Sequence, residues 1–192
     1  MWGAMMRSRM LLRNRIFMQL LFIYCCRSGE LRAARKVHID REKMTWTVPP
    51  ENHKMGDKTA KPIIRPLIPE TIRLFDIAQT LNDSEYLFVS SRNRQNMISR
   101  GALLGLPYDL MAFLDREENI KMNHWSLHDI RRTMRTNMSS ITEPHIAEIM
   151  LGHTLPLIWR TYDQHDYLEE QRTALLKWCE RIQAIIVPYP LV

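Results

Sequence analysis

The chain is poor in cysteine. Three occur in 192 residues, Cys25 and Cys26 side by side and Cys179 alone, so there is no CxxC pair, no metal-ligand spacing and no even-numbered disulfide framework. That excludes a disulfide-stapled secreted scaffold and points to a reducing, cytoplasmic setting. Long apolar runs are also missing, since a membrane span needs about 20 such residues. The nearest approach, IFMQLLFIYCC at residues 16–26, follows Arg7, Arg9, Arg13 and Arg15 and so imitates an export signal. No small-x-small cleavage site follows it, and RSGELRAARK is a poor exit from such a signal, so the segment reads as a buried helix. A P-loop, an internal repeat and a low-complexity tract are likewise absent.

What is present is a basic globular domain. The length suits one compact unit, and 45% hydrophobic and 25% charged residues lie near the globular average. Lys and Arg outnumber Asp and Glu by 27 to 21, giving a net charge of +6 and a pI near 9.4. Such a surplus favours a polyanionic partner, nucleic acid among them, although a solvated basic face gives the same count.

Periodicity predicts a helix over residues 13–26, with 27–34 continuing or capping it through the SGE turn. Three short β-branched or apolar runs, 37–39, 45–48 and 63–67, then predict a small antiparallel sheet. The link over 49–62 carries Lys54, Gly56, Lys58 and Lys61, a basic loop or hairpin. Pro69 opens a helix to about Leu81, residues 86–89 are extended, and 90–100 form a polar connector. The second half reads as helical. Residues 102–114 form a weak helix interrupted by Pro107, and Ser126 three residues before Asp129 marks a capping box that starts a helix at Leu127 running to about Met138. Pro144 and Gly152 bracket a further helix over 145–151, which places His153 just past its C-terminus. Residues 156–163 carry Tyr162, and 167–186 form a long final helix. The expected fold is α+β, mainly α, with a small three-stranded antiparallel sheet in the N-terminal third.

On the helix after Ser126, His128 and Arg131 are three apart and share a face beside a helix N-terminus, an arrangement that suits phosphate. By itself an HxxR pair is equally a solvated basic face. Two guanidiniums, Arg27 and Arg131, can each make two-pronged bonds to phosphate oxygens. Imidazoles at His128 and His153 can donate or move a proton, and a lysine on a hairpin can reach a leaving oxygen. Tyr162 is a poor nucleophile at its free pKa near 10 and needs such a cationic surrounding to attack a phosphodiester.

These motifs, in this order, resemble the catalytic domain of the tyrosine recombinases, specifically the phage and prophage integrases. RSGEL at 27–31 resembles the family's first-arginine motif, and VHIDREKMTWTVPPENHK at 37–54 its sheet and lysine hairpin. LHDIRRT at 127–133, LGH at 151–153 and TYDQHDYLEEQR at 161–172 resemble its His-x-x-Arg box, its third histidine position and its nucleophile segment. The similarity runs from about residue 20 to about residue 182.

The resemblance implies that Tyr162 attacks a DNA phosphate to give a 3′-phosphotyrosyl link and a free 5′-hydroxyl. It implies that Arg27 and Arg131 clamp the phosphate, that Lys54 protonates the leaving oxygen, that His128 assists proton movement, and that His153 bonds the phosphate. Neither a metal nor another cofactor is implied. Lys58 and Lys61 are alternatives for the hairpin lysine, and Tyr167 for the nucleophile, although Tyr162 has the family spacing from His153. Glu30 is expected to be a structural partner of nearby donors. Where family members usually have glycine ahead of the first arginine, this chain has Cys25.

The implied partners are duplex DNA, further copies of the chain assembled on it, and accessory DNA-bending proteins, with no membrane. The expected division is a basic N-terminal remnant at 1–14, a catalytic domain at 15–187 and a tail at 188–192. Core-binding and arm-binding domains are not seen, so a catalytic fragment or a truncated prophage remnant that binds DNA without productive recombination is the alternative reading. A type IB topoisomerase shares the chemistry, but small size and the integrase-like flanks argue against it.

Overall fold

The run from Ile16 to Tyr24 is apolar on nearly every side, and a helix without a polar face has to be buried. In the computed structural model, which describes residues 1–153 and 165–186, it forms the centre of the molecule as α2 (Leu12–Tyr24). Ile16 through Leu21 are buried without interruption, Gln19 included, its amide donating to the Met6 sulfur at 3.7 Å.

A short helix α1 (Trp2–Arg7) precedes it. Residues 1–14 are more than a basic extension. Trp2, Ala4 and Met5 are buried in the common core, and the Trp2 ring lies 5.5 Å from that of Phe22.

The RSGE stretch is helical rather than a turn, forming α3 (Ser28–Arg32). The cause is Glu30 at the third helical position. Its carboxylate reaches back to accept the backbone N–H of Arg27 at 3.3 Å and so satisfies an otherwise orphaned donor.

Three antiparallel strands follow, β1 (Ile39–Asp40), β2 (Thr45–Val48) and β3 (Ile63–Pro66), in the order β1-β2-β3. The first begins later than its β-branched sequence suggests. The Arg35 N–H donates to the His38 ring at 3.2 Å, closing a 3₁₀ turn over Lys36–His38 that leaves Val37 exposed. The connection from β2 to β3 is a 3₁₀ turn, Pro50–Asn52, packed on a four-residue helix, α4 (Gly56–Thr59). Gly56 permits that approach, because a β-carbon there would lie 1.7 Å from the Pro50 carbonyl oxygen.

Helix α5 (Pro69–Thr80) starts on its proline as expected. Helix α6 (Arg100–Glu118) is longer than the sequence suggests and passes through Pro107. Ser99 caps it, accepting from the Ala102 N–H at 3.1 Å. Leu103, Leu106, Leu110 and Leu114 bury one continuous stripe, which offsets the hydrogen bond that proline removes.

Helix α7 (Leu127–Met138) matches its expected bounds, with the Ser126 N–H and hydroxyl both donating to Asp129, at 2.9 and 2.7 Å. Helices α8 (Pro144–Met150) and α9 (Leu168–Ile186) complete the described structure, and α9 packs on α2, α8 and β3. Among the described residues, no helix is long and apolar enough to cross a membrane. The fold is the mainly helical one expected, with its small sheet on one side.

Candidate active site

Helix α2 ends at Cys25 with φ 45°, a left-handed residue in the place where glycine is the usual choice. The turn redirects the chain so that Arg27 opens α3 and its guanidinium stays half-buried. Glu30 sits beneath it at 1% exposure. One carboxylate oxygen accepts Arg27 Nη1 at 2.9 Å, and the other accepts Arg65 Nη2, from β3, at 2.7 Å. Burial alone would push this carboxyl up, but the two guanidiniums, Arg65 foremost, hold it below the ordinary carboxylate range. Glu30 is therefore ionised and structural, paired with both arginines.

The other half of the site is built by the end of α8. A helix leaves its last carbonyls without partners, and here each one finds a donor. The backbone N–H groups of Leu151, Gly152 and His153 bond to the carbonyls of Ala147, Ile149 and Glu148, at 3.2, 2.7 and 3.0 Å. With Gly152 at φ 67°, this is a Schellman turn, which sets His153 directly behind the helix. The next two carbonyls accept from buried arginines: Met150 from Arg65 and Leu151 from Arg131. Arg131 also donates to the Cys25 carbonyl at 3.3 Å, joining the α8 turn to the turn that precedes Arg27.

A third donor position on Arg131 reaches His153 Nε2 at 2.8 Å. A guanidinium has no acceptor, so Nε2 carries the lone pair and Nδ1 the proton. Nδ1 donates to Glu148 at 2.5 Å, and Arg135 donates to the same carboxylate at 2.6 Å. Burial opposes ionisation of Glu148, but these two donors outweigh it and its pKa is lowered.

Arg27 and Arg65 thus pair with one buried carboxylate, whose charge Arg131 feels without bonding to it. Burial, and next the charge of Arg27, pull the Arg131 pKa from 12.5 down to about 10. The centre holds more positive charge than its own groups neutralise. A bound anion would relieve that surplus.

The remaining sequence-predicted residues border this centre to different degrees. Lys54 is exposed in the β2–β3 connection and lines a cleft of about 590 Å³ together with Arg27, Arg32 and Arg100. Lys61 lines a second cleft of about 450 Å³ with His53 and His153, whereas Lys58 borders neither. His128 is exposed on the first turn of α7, one turn ahead of Arg131. Tyr162 lies outside the described residues. Tyr167, at φ 56° just ahead of α9, has its ring 5.3 Å from His145 and 4.6 Å from His165, a packing arrangement. His165 also pairs with Glu170 at 2.7 Å. No group of three His, Cys, Asp or Glu side chains is placed to hold a metal among the described residues.

Two participants were not foreseen, Glu148 and Arg65. For Arg65 the signal was available: strand alternation over residues 63–67 puts the arginine on the face of Ile63 and Leu67, the face on which the structure pairs it with Trp46.

Residues 3–169 match the model of the phage integrase family. The chain belongs to that family. The integrase fold is also evident among solved structures, all of low sequence identity. A lambda integrase dimer bound to a COC′ core site aligns with a TM-score of 0.58 at 17% identity, over 82% of this chain and 55% of that one. The Tn1549 transposon integrase in complex with circular intermediate DNA gives 0.63 at 14%, over 89% and 60%. The XerH site-specific recombinase bound to its difH substrate gives 0.59 at 17%, over 90% and 49%. This integrase-family chain therefore spans about half to three fifths of the solved structures it resembles. No curated protein matches it in sequence.

Proposed function

We propose that this chain acts as the catalytic domain of a site-specific DNA recombinase, cutting and rejoining duplex DNA strands through a 3′-phosphotyrosyl intermediate. The observation that carries the reading is the surplus of positive charge where Arg27, paired with Glu30, faces the buried Arg131 closely enough to lower its pKa, with His153 bonded to Arg131 at 2.8 Å. A phosphodiester supplies the missing negative charge, and preorganised donors of this kind favour the transition state, in which that charge increases.

In the proposed reaction Tyr162 Oη attacks phosphorus and the bond from phosphorus to the 5′-oxygen breaks. His128 assists removal of the tyrosine proton, and Lys54 gives a proton to the departing 5′-oxygen. Arg27 and Arg131 hold the non-bridging oxygens. On taking up a proton, His153 Nε2 turns from acceptor to donor toward the phosphate while Glu148 balances its charge. Attack of a 5′-hydroxyl from another strand reverses the step, and the phosphotyrosine conserves the bond energy.

Lambda integrase is seen as a dimer on a core site and as a tetramer on a Holliday junction, and the proposal extends multimeric assembly on DNA to this chain. It also retains the cytoplasmic setting, in keeping with three buried free cysteines.

The test is a denaturing gel of the protein incubated with nicked duplexes, without metal, beside Tyr162→Phe. A covalent protein–DNA band lost only in the variant is expected. Absence of the band while DNA binding persists would overturn strand transfer and leave a DNA-binding remnant. Binding itself should weaken steeply with salt as Lys and Arg displace counterions, and a flat response would remove DNA as the partner.

A further inference from the structure

Arg65 occupies a place that apolar packing does not explain. It faces the core from β3 at 2% exposure, paired across the sheet with Trp46, whereas its neighbour Ile64 points to solvent. Its guanidinium stands 5.6 Å from the centre of the Trp46 ring, and Nε has no hydrogen-bond partner. Burying this charge carries a desolvation cost that a leucine or methionine would avoid.

The compensating feature is its reach. Nη2 donates to Glu30, and Glu30 in turn holds Arg27. Nη1 donates to the Met150 carbonyl, the next carbonyl along is the one that holds Arg131, and Nη2 lies 3.5 Å from the β-carbon position of Gly152. One planar fork therefore ties α3 to the turn behind α8, segments that meet nowhere in sequence. Lysine could keep the ion pair with Glu30, but its single nitrogen cannot reproduce both directions of the fork.

We propose that Arg65 is a positioning residue that fixes the spacing between Arg27 and the Arg131–His153 pair, the two arms that would grip the scissile phosphate. The phosphate itself rests on the recombinase reading above. Arg65 touches no substrate and acts only through Glu30 and the α8 turn.

The test uses the full chain as Arg65→Lys, with Ile182→Ala as a control that disturbs the core elsewhere. Amide exchange at Gly152 and His153 should accelerate about tenfold beyond the control. Single-turnover formation of the covalent complex should slow by at least about tenfold while the Kd for the nicked duplex stays within about threefold. Exchange matching that of the control would overturn the proposal. So would a loosened turn with unchanged cleavage, because the spacing would then be immaterial. If the wild-type protein forms no covalent complex, the recombinase reading fails on that result alone, and the exchange data still decide whether Arg65 holds the turn. Should Arg65→Lys not fold, Glu30→Gln removes the charge and one of the two acceptor oxygens that link Arg65 to Arg27 and leaves the Met150 contact in place. Slower cleavage with unchanged exchange at Gly152 and His153 is then expected, and wild-type cleavage would overturn the proposal.

Discussion

The Cδ1 atom of Ile63 lies 2.8 Å from the point that a β-carbon on Gly152 would occupy. The glycine is thus required twice, by its left-handed backbone and by the side chain of β3 lying against it. Through it the sheet abuts the turn that carries His153.

Gly152→Ala should destabilise the fold by about 2 kcal/mol, from the left-handed penalty and the displacement of Ile63. In a chain of this size that corresponds to a fall in Tm of about 4–8 °C. Adding Ile63→Val should recover part of the loss by removing the opposing methyl. Thermal unfolding of the single and double variants tests this, and an unchanged Tm in Gly152→Ala would contradict the turn.

Arg131 serves three acceptors at once, Cys25 O, Leu151 O and His153 Nε2, from a planar fork. Arg131→Lys cannot serve them together, and leaving buried carbonyls unpaired costs about 1–3 kcal/mol. Urea unfolding should show that loss. Pyrophosphate, which should raise the Tm of the wild-type protein by filling the anion site, should raise that of the variant much less. Equal shifts would mean that Arg131 does not face the anion.

Acid should weaken the fold through Glu30 and Glu148. Both have folded pKa values below their ordinary 4.5, so in the linkage relation the folded state binds fewer protons than the unfolded state in this range. Their stabilisation is complete above 4.5 and is lost as pH falls through the lower folded values. Urea midpoints measured from about pH 6 down to about pH 3 should therefore decline, and Glu30→Gln should flatten the decline even though it starts from a less stable protein. An identical slope in that variant would show that Glu30 is not the titrating group.

Local chemistry was enough to read much of this chain. The apolar run of α2, the Ser126–Asp129 box and the Pro144–Gly152 bracket are each set by neighbours within a turn or two, so α7 and α8 stand where residue order puts them. The same locality misled at Pro107. There the sequence shows the broken hydrogen bond, while the leucine stripe that offsets it acts only against a packed partner.

The order of Arg27, Lys54, His128, Arg131, His153 and Tyr162 was legible as a family pattern before any contact was known. By itself the sequence determined the bounds of α5, α7 and α8 to within about a residue, because caps, breakers and periodicity act over a few residues. Only the tertiary structure decided that Arg131 bonds His153, that Glu148 sets the tautomer, and that Arg65 spans both arms through Glu30 and Met150. Those pairings join residues 22 to 85 positions apart, or, for Glu148 and His153, depend on the α8 turn, and hydrogen bonds of that kind exist only once the core has closed around them.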